Sequence, residues 1–176
     1  TKELYFSNLN LGVQRFVTDS RQIQAGDFFI ALRGETYDAH DFLDDVKNSG
    51  AVGCLISDVQ KLPEGFPALV VENTLNGLQE LAQAWRMECA KHKLREVVLV
   101  TGSNGKTTVK GMIASIFHVA VGGENYLATE GNLNNEIGLP LTLLKLNAEH
   151  QLAVVELGMN HPGETGVLAK IAAANI

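Results

Sequence analysis

The sequence is poor in several features that would place it outside the ordinary globular proteins. It has only two cysteines, Cys54 and Cys89, whose spacing matches no metal-binding motif, so a reduced, cytoplasmic setting is favoured over a disulfide framework. No apolar run has the length of a membrane-spanning helix, and the start of the chain does not resemble a signal peptide. Because the first residue is Thr1 rather than methionine, we expect the chain to have been processed or cropped.

An excess of basic residues is also absent. The formal net charge is −6 and no basic cluster stands out, which argues against nucleic-acid binding as the main role. Hydrophobic residues make up 45% and charged residues 19% of the 176 residues, as is typical of globular proteins. This length suits one ordinary domain or two small ones. Any anionic ligand must be held by local features rather than by the overall charge.

The most informative segment is a strand-turn-helix pattern in the middle of the chain. The apolar run Val97–Val100 leads into a turn that contains Gly102 and Gly105, and Lys106 then opens an amphipathic stretch. Backbone N–H groups in such a turn, together with the positive end of the following helix, bind phosphate oxygens. Lys106 can reach the terminal phosphates of a nucleoside triphosphate, and the Thr107 hydroxyl is placed to bind Mg²⁺.

This loop is shorter than the general P-loop pattern, because Val100 stands where that pattern has a further glycine. The alternative is an ordinary strand-to-helix turn with Lys106 as a solvated helix-start residue, which the positive end of the helix dipole disfavours. We therefore predict a nucleotide-binding loop. Its predicted binding residues are Gly102, Ser103, Asn104, Gly105, Lys106, Thr107 and Thr108.

The spacing of apolar residues predicts an α/β fold in two domains. Residues 1–93 hold three short apolar runs with helical patterns between the first two and after the third, and they predict a small α/β domain. Residues 94–176 follow a charged stretch and alternate strands and helices, as in a parallel-sheet ATPase domain. Two strands are clear there, a third is suggested near Tyr126, and we expect the domain to be truncated at Ile176. The three runs of the first domain are Phe28–Leu32, Ala51–Ile56 and Ala68–Val71.

The stretch after the nucleotide loop is predicted to be a helix with one buried face. Its apolar residues recur at steps of three and four, and we expect this face to pack in the core. Further helices are predicted over residues 136–146 and 163–174. The residues of the predicted buried face are Val109, Met112, Ile113, Ile116 and Phe117.

A glutamate ends the second clear strand of this domain. Glu156 lies near the end of the apolar run Leu152–Leu157. Because ligands bind at the carboxyl ends of parallel strands, we expect Glu156 and the nucleotide loop to share one edge of the sheet. Glu156 would then be an acidic partner for Mg²⁺. A solvated glutamate at a strand end is the alternative.

Two other polar groups are candidate binding residues. The segment 129–138 contains Asn132, Asn134 and Asn135, which either cap and turn the chain or line a polar ligand site. In the first domain, the adjacent residues 19–21 suit a diphosphate or a base edge, although surface turns often carry such residues. His40, in a loop after the first apolar run, is by itself more typical of a turn than of catalysis. The three residues at positions 19–21 are Asp19, Ser20 and Arg21.

Several of these segments together resemble the Mur ligase family. The segments 18–21, 26–34 and 38–42 are similar to the family's amino-terminal UDP-binding domain, and the run 101–108, Thr-Gly-Ser-Asn-Gly-Lys-Thr-Thr, matches its short ATP loop. The segments 131–144 and 155–164 resemble the branch that adds D-alanyl-D-alanine. The branch that adds the third residue would show a threonine-proline motif in place of the asparagine-rich one. The resemblance covers nearly the whole chain.

This resemblance implies an ATP-dependent peptide ligase of peptidoglycan precursor synthesis. Residues 1–93 would bind the UDP substrate and residues 94–176 would form part of the ATP-binding domain, with a third domain missing, so that these residues alone would be inactive. The implied substrates are UDP-N-acetylmuramoyl-tripeptide and D-alanyl-D-alanine, and the implied cofactors are ATP and Mg²⁺. A nucleic-acid partner and membrane insertion are not expected, and the full-length protein would be a monomer.

The resemblance also implies roles for single residues. Lys106 and Glu156 would be catalytic, and Thr107 and Glu156 would bind the metal. The asparagines named above would face the substrate, together with His161. The UDP end of the substrate would be bound by Asp19, Ser20, Arg21 and His40.

Two other functions remain open at this point. A different amide ligase with the same ATP loop, such as a relative of folylpolyglutamate synthase, is disfavoured by the separate UDP-type domain ahead of the loop. A non-enzymatic nucleotide-binding module is the second. Binding of a UDP-muramoyl peptide, rather than of folate or a guanine nucleotide, would separate the ligase from both.

Overall fold

A computed structural model of the protein describes residues 3–5, 12–158 and 164–174. The chain divides into two compact units, Thr1–Leu78 and Gln79–Ile176. The division falls inside a long helix, and the predicted domain boundary after residue 93 stays a prediction. Within the described residues, no helix is both long enough and apolar enough to cross a membrane.

The first unit is built on a five-stranded sheet. Its strands have the order β1-β5-β4-β3-β2, in which β2 to β5 run parallel and β1 pairs antiparallel with β5 at one edge. The helix α1 connects β3 to β4 and covers the sheet. In chain order the elements are β1 (Glu3–Tyr5), β2 (Arg15–Val17), β3 (Asp27–Ile30), α1 (Leu43–Asn48), β4 (Gly53–Ile56) and β5 (Ala68–Val70).

The core of this unit forms where the predicted apolar runs lie side by side. Phe29, Cys54 and Ile56 are fully buried and pack with Leu43 and Val46 of α1. Parallel strands covered on both faces need continuous apolar sequence, which is why these three runs were recognisable as strands. The sequence reasoning missed β1 and β2, because each is only three residues long and neither consists of a continuous run of apolar residues.

The second unit contains a three-stranded parallel sheet of order β6-β8-β7. The predicted strand near Tyr126 is therefore confirmed. The carboxyl ends of all three strands meet at one edge, since Val154 of β8 lies beside Val98 of β6 and Ala128 of β7. The elements from the shared helix onward are α2 (Thr74–Cys89), β6 (Glu96–Val100), α3 (Lys106–Val121), β7 (Tyr126–Ala128), α4 (Gly138–Leu143), β8 (Leu152–Glu156) and α5 (Glu164–Ala172).

The predicted buried face of α3 is wrong at three of its five positions. Val109, Met112 and Ile116 are exposed by 46%, 62% and 64%. The side of α3 that turns inward carries Lys110, which is buried, and the half-buried Ile113 and Phe117. Because α3 is apolar on more than one side, residue spacing alone could not tell which side meets the sheet.

One glycine of this unit has no room for a side chain. A Cβ atom added at Gly138 would lie 2.5 Å from Leu133 Cα and 2.6 Å from the Leu133 carbonyl carbon. Both atoms belong to the backbone, so the contact cannot be relieved by a rotamer change. We expect Gly138→Ala to lower the free energy of unfolding by about 2 kcal/mol or more, measured by urea denaturation.

The matched control is Gly111→Ala in α3. A Cβ atom at Gly111 would meet nothing within 4 Å, and alanine in a helix interior is favoured over glycine by about 0.5–1 kcal/mol. Equal stability of the two variants would show that the segment before α4 is less tightly packed than the structure indicates.

Candidate functional site

The nucleotide loop lies between β6 and α3, as predicted. Gly102 and Gly105 have φ angles of +143° and +77°, which residues with a side chain rarely adopt. Gly105 is the residue that caps the amino end of α3, and a Cβ atom there would meet nothing within 4 Å. Glycine is thus needed at this position for its backbone conformation and not for space. The turn leads into α3, whose first N–H groups have no acceptors within the helix.

Lys106 folds back over this loop. Its Nζ donates a hydrogen bond of 2.8 Å to the Gly102 carbonyl oxygen, and its side chain is half-buried. An ammonium group above a turn of backbone N–H groups is the arrangement that binds the phosphates of a nucleotide. The other predicted loop residues, Ser103, Asn104 and Thr108, are exposed at the same end of the sheet.

Glu156 lies beside the loop and is not a solvated strand-end residue. It is only 3% exposed, and both carboxylate oxygens accept hydrogen bonds of 3.0 Å. Oε2 accepts from the Thr107 hydroxyl and Oε1 from the Asn134 side-chain amide. The parallel register of β6 and β8 puts Val100 opposite Glu156. The sheet edge therefore brings the two predicted metal-binding side chains, Thr107 and Glu156, into direct contact.

A buried lysine completes this cluster, and the sequence reasoning missed it. Lys110 Nζ lies 3.8 Å from Glu156 Oε2 and donates a hydrogen bond of 2.7 Å to the Thr129 carbonyl oxygen. Thr129, which follows β7, in turn accepts a 2.9 Å hydrogen bond from the Glu156 backbone N–H through its own hydroxyl. A lysine one turn beyond Lys106, in an otherwise apolar stretch, was the signal that could have revealed it.

The three asparagines have different positions. Asn134 contacts Glu156 through its side chain, and its carbonyl oxygen accepts a 2.7 Å hydrogen bond from Gly158 N–H. Asn135 Oδ1 accepts from the N–H groups of residues 137 and 138 and so caps α4. Asn132 is exposed. Asn135 therefore fits the capping interpretation, Asn134 lies beside the Glu156 carboxylate, and the substrate contacts of all three asparagines stay a prediction. His161 lies outside the described residues.

The residues at this edge fit Mg²⁺ bound together with a nucleotide. Thr107 and Glu156 offer a hydroxyl and a carboxylate, which are the hard oxygen ligands that Mg²⁺ prefers, and Mg²⁺ usually takes its remaining ligands from phosphates and water. No group of three or more histidine, cysteine or acidic side chains within the described parts of the chain could hold a metal ion alone. The donor set therefore suits a metal that arrives with phosphate oxygens.

In the first unit, Asp19 and Arg21 are paired with each other. Asp19 accepts two hydrogen bonds of 2.8 Å from the Arg21 guanidinium and caps a short 3-10 turn over Ser20–Gln22. The hydrogen bonds from Arg21 lower the pKa of Asp19 to about 2, so this carboxylate is ionised at neutral pH. Arg21 is largely exposed and Ser20 is half-buried. Their predicted contact with UDP stays a prediction.

His40 is fully enclosed and holds two loops together. Its Nδ1 lies 2.5 Å from Asp38 Oδ1, and its Nε2 accepts a 2.9 Å hydrogen bond from the Ser57 backbone N–H. Because Nε2 accepts, the ring proton is placed on Nδ1, facing Asp38. Burial raises the pKa of Asp38, but hydrogen bonds from His40 and Lys61 outweigh it and hold that pKa well below its usual range.

Both ring nitrogens of His40 are therefore engaged within the protein. The histidine joins the loop after β3 to the end of β4, and this places it where it can shape the polar loop 34–38. Its role in binding the UDP end of a substrate stays a prediction. A supporting role through Asp38 fits the geometry better than a direct contact, because the His40 side chain has no exposed surface.

Comparison with known proteins agrees with this geometry. Residues 100–176 match the Mur ligase middle domain, and the resemblance to the Mur ligases is thereby confirmed for this part of the chain. Several relatives that it matches are named UDP-N-acetylmuramoyl-tripeptide–D-alanyl-D-alanine ligase. The relative from Haemophilus influenzae is 42% identical over 167 residues, which cover 94% of this chain and 35% of the relative. The relative from Escherichia coli is 46% identical over 147 residues, which cover 84% of this chain and 30% of the relative.

Solved structures show the same fold. The MurF structure from Acinetobacter baumannii has a TM-score of 0.82 at 40% identity, with 91% of this chain and 33% of that chain covered. The MurF ligase from Thermotoga maritima, solved in complex with ADP, has a TM-score of 0.77 at 32% identity, with 94% and 36% covered. The predicted α/β fold class is confirmed. The chain spans about a third of the length of the relatives that it matches.

Proposed function

We propose that this chain forms part of an ATP-dependent ligase that joins D-alanyl-D-alanine to UDP-N-acetylmuramoyl-tripeptide and releases ADP and phosphate. The observation that carries the proposal is the contact between Thr107 and Glu156 beside a nucleotide loop. Relatives with that activity in their names support the choice of substrates, and the ADP complex of the Thermotoga maritima protein supports the choice of nucleotide.

The chemistry requires activation of a carboxylate, because oxide is too poor a leaving group for direct attack by an amine. The γ-phosphoryl group of ATP is transferred to the terminal carboxylate of the tripeptide, and an acyl phosphate results. The amine of D-alanyl-D-alanine then attacks the acyl carbon, a proton leaves the nitrogen, and phosphate departs. The protein contributes mainly position and charge neutralisation. Lys106 and the loop N–H groups bind the β- and γ-phosphates.

Thr107 and Glu156 would hold Mg²⁺ through their oxygens, with Asn134 fixing the other carboxylate oxygen of Glu156. When bound, Mg²⁺ offsets the repulsion between the anionic γ-phosphate and the attacking carboxylate. Thr129 fixes the backbone at Glu156, because its hydroxyl accepts a hydrogen bond from the Glu156 backbone N–H. The Glu156 side chain is thus fixed in direction before any ligand arrives.

The remaining assignments follow the family resemblance. Residues 1–93 would form the UDP-substrate domain, and residues 94–176 would belong to the ATP-binding domain. The UDP end would be bound near Asp19, Ser20 and Arg21, with His40 supporting the adjacent loop. The substrate-facing residues would be Asn132, Asn134, Asn135 and His161. The full-length protein would act as a monomer in the cytoplasm.

The proposal is tested by replacing the buried carboxylate. We expect Glu156→Gln to raise the Mg²⁺ concentration needed for half-maximal ligation by about tenfold or more, because a neutral amide is a much poorer ligand for a divalent cation. The measurement is phosphate release by the full-length protein as a function of Mg²⁺ concentration. Glu149→Gln is the matched control, since Glu149 is exposed and pairs with Lys93. An unchanged Mg²⁺ dependence in Glu156→Gln would show that Glu156 does not bind the metal ion.

A further inference from the structure

Lys110 is a buried charge that the proposed chemistry does not use. It is 8% exposed and projects from α3 toward the carboxyl ends of β7 and β8. Its Nζ lies 2.7 Å from the Thr129 carbonyl oxygen and 3.8 Å from Glu156 Oε2. A buried ammonium group is costly unless it is paired and hydrogen-bonded. Both conditions are met, so this lysine is built into the site.

The pairing changes what Glu156 can bind. The oxygen nearest to Lys110 is Oε2, which is also the oxygen that accepts from Thr107. A divalent cation bound between Thr107 and Glu156 would therefore lie close to an ammonium group that is itself almost fully buried. Like charges at such distances repel strongly when solvent screening is weak. The single negative charge of Glu156 is already balanced by Lys110, so the protein alone offers a cation no net attraction.

Nucleotide phosphates would reverse this balance. They add several negative charges at the nucleotide loop, which lies at the same edge of the sheet. We propose that Lys110 is a positioning residue that makes the Thr107–Glu156 site bind a divalent cation only together with nucleotide phosphates. The ammonium group holds the Glu156 carboxylate in place through charge and through Thr129, and it also prevents the empty site from capturing a free metal ion. This inference rests on the proposed role of Glu156 in binding Mg²⁺.

The test measures Mn²⁺ binding to the full-length protein without nucleotide. Mn²⁺ serves as the probe because electron paramagnetic resonance reports its free concentration directly. We expect weak binding by the wild-type protein and binding at least tenfold tighter in Lys110→Gln, which removes the charge but keeps a donor for the Thr129 carbonyl. Lys110→Met should show the same gain, whereas Lys110→Arg should resemble the wild type. Lys145→Gln, at a half-exposed lysine paired with Glu130, is the control.

The direction of the change separates this role from a merely structural one. Loss of a structural support would loosen Glu156 and weaken cation binding, whereas loss of an electrostatic barrier strengthens it. The gain should vanish in the double variant with Glu156→Gln, since the cation then lacks its carboxylate. Circular dichroism and thermal melting identify any variant that fails to fold, and the two neutral replacements place different demands on packing.

Two outcomes would overturn the inference: unchanged or weaker Mn²⁺ binding in the folded neutral variants, or a gain that persists without the Glu156 carboxylate. Failure of the proposed function looks different, because Glu156→Gln alone would then leave Mg²⁺-dependent nucleotide binding unchanged. If Glu156→Gln impairs that binding while Lys110→Gln does not raise nucleotide-free Mn²⁺ affinity, the role of Glu156 stands and the role of Lys110 is wrong.

Discussion

Replacing Lys106 with alanine is expected to reduce turnover of the full-length protein by on the order of 10²-fold or more, because one preorganised charge contact to a developing anion contributes about 3 kcal/mol. The ammonium group lies over the loop and is held there by the Gly102 carbonyl oxygen. This pre-positioning means that little reorganisation is needed when phosphate binds. The measurement is steady-state phosphate release with all three substrates present.

The loss should fall mainly on kcat, since negative charge at the transferred phosphoryl group must be neutralised as the reaction proceeds. Lys91→Ala is a suitable control, because Lys91 is exposed and pairs with Glu88 at the end of α2. That control should retain full activity. Near-normal ligation by Lys106→Ala would remove the nucleotide loop from the mechanism and leave the strand-to-helix turn as a structural feature.

The strand-turn-helix geometry of the nucleotide loop was predictable because its determinants are local. An apolar strand, two glycines with special backbone angles and a lysine at the start of a helix all lie within ten residues of one another. The position of Glu156 beside this loop was predictable for a different reason, since parallel strands put their carboxyl ends at one edge. Its burial and its contact with Thr107 follow from the register of β6 and β8.

The support around Glu156 could not be predicted in the same way. Lys110 and Thr129 are 46 and 27 residues from Glu156 in sequence, and their contacts depend on how α3 and β7 pack on β8. No residue spacing encodes that packing. The asparagine segment shows the same limit, because its pattern allowed capping and ligand binding alike. The structure has Asn135 as the cap and Asn134 at the carboxylate.

The orientation of α3 was the clearest failure of sequence reasoning. A helix with apolar residues on several sides has no unique inward face, and the sheet selected the side with Lys110, Ile113 and Phe117. The consequence is an exposed apolar surface, which we call the α3 stripe. It is formed by Val109, Met112, Ile116 and Val119, exposed by 46%, 62%, 64% and 86%.

A polypeptide limited to these 176 residues is expected to show no ligase activity and to self-associate. It holds the nucleotide loop and Glu156, but it spans about a third of the length of the ligases that it matches, and the proposed reaction also needs a site for the amine substrate. The α3 stripe presents apolar side chains to water, and β6 and β7 are the two edges of the three-stranded sheet. Exposed apolar patches and unpaired strand edges both promote association.

The measurement combines phosphate release with all three substrates and the mass in solution by light scattering. If the α3 stripe drives association, the double variant Met112→Lys and Ile116→Lys should shift the mass toward that of the monomer. The control Ser115→Lys adds a charge to the same helix at an exposed polar position and should leave association unchanged, because the apolar surface remains. A monomeric and fully active 176-residue polypeptide would contradict the roles proposed for residues 1–93 and 94–176. It would also contradict the assignment of residues 94–176 to part of a larger ATP-binding domain.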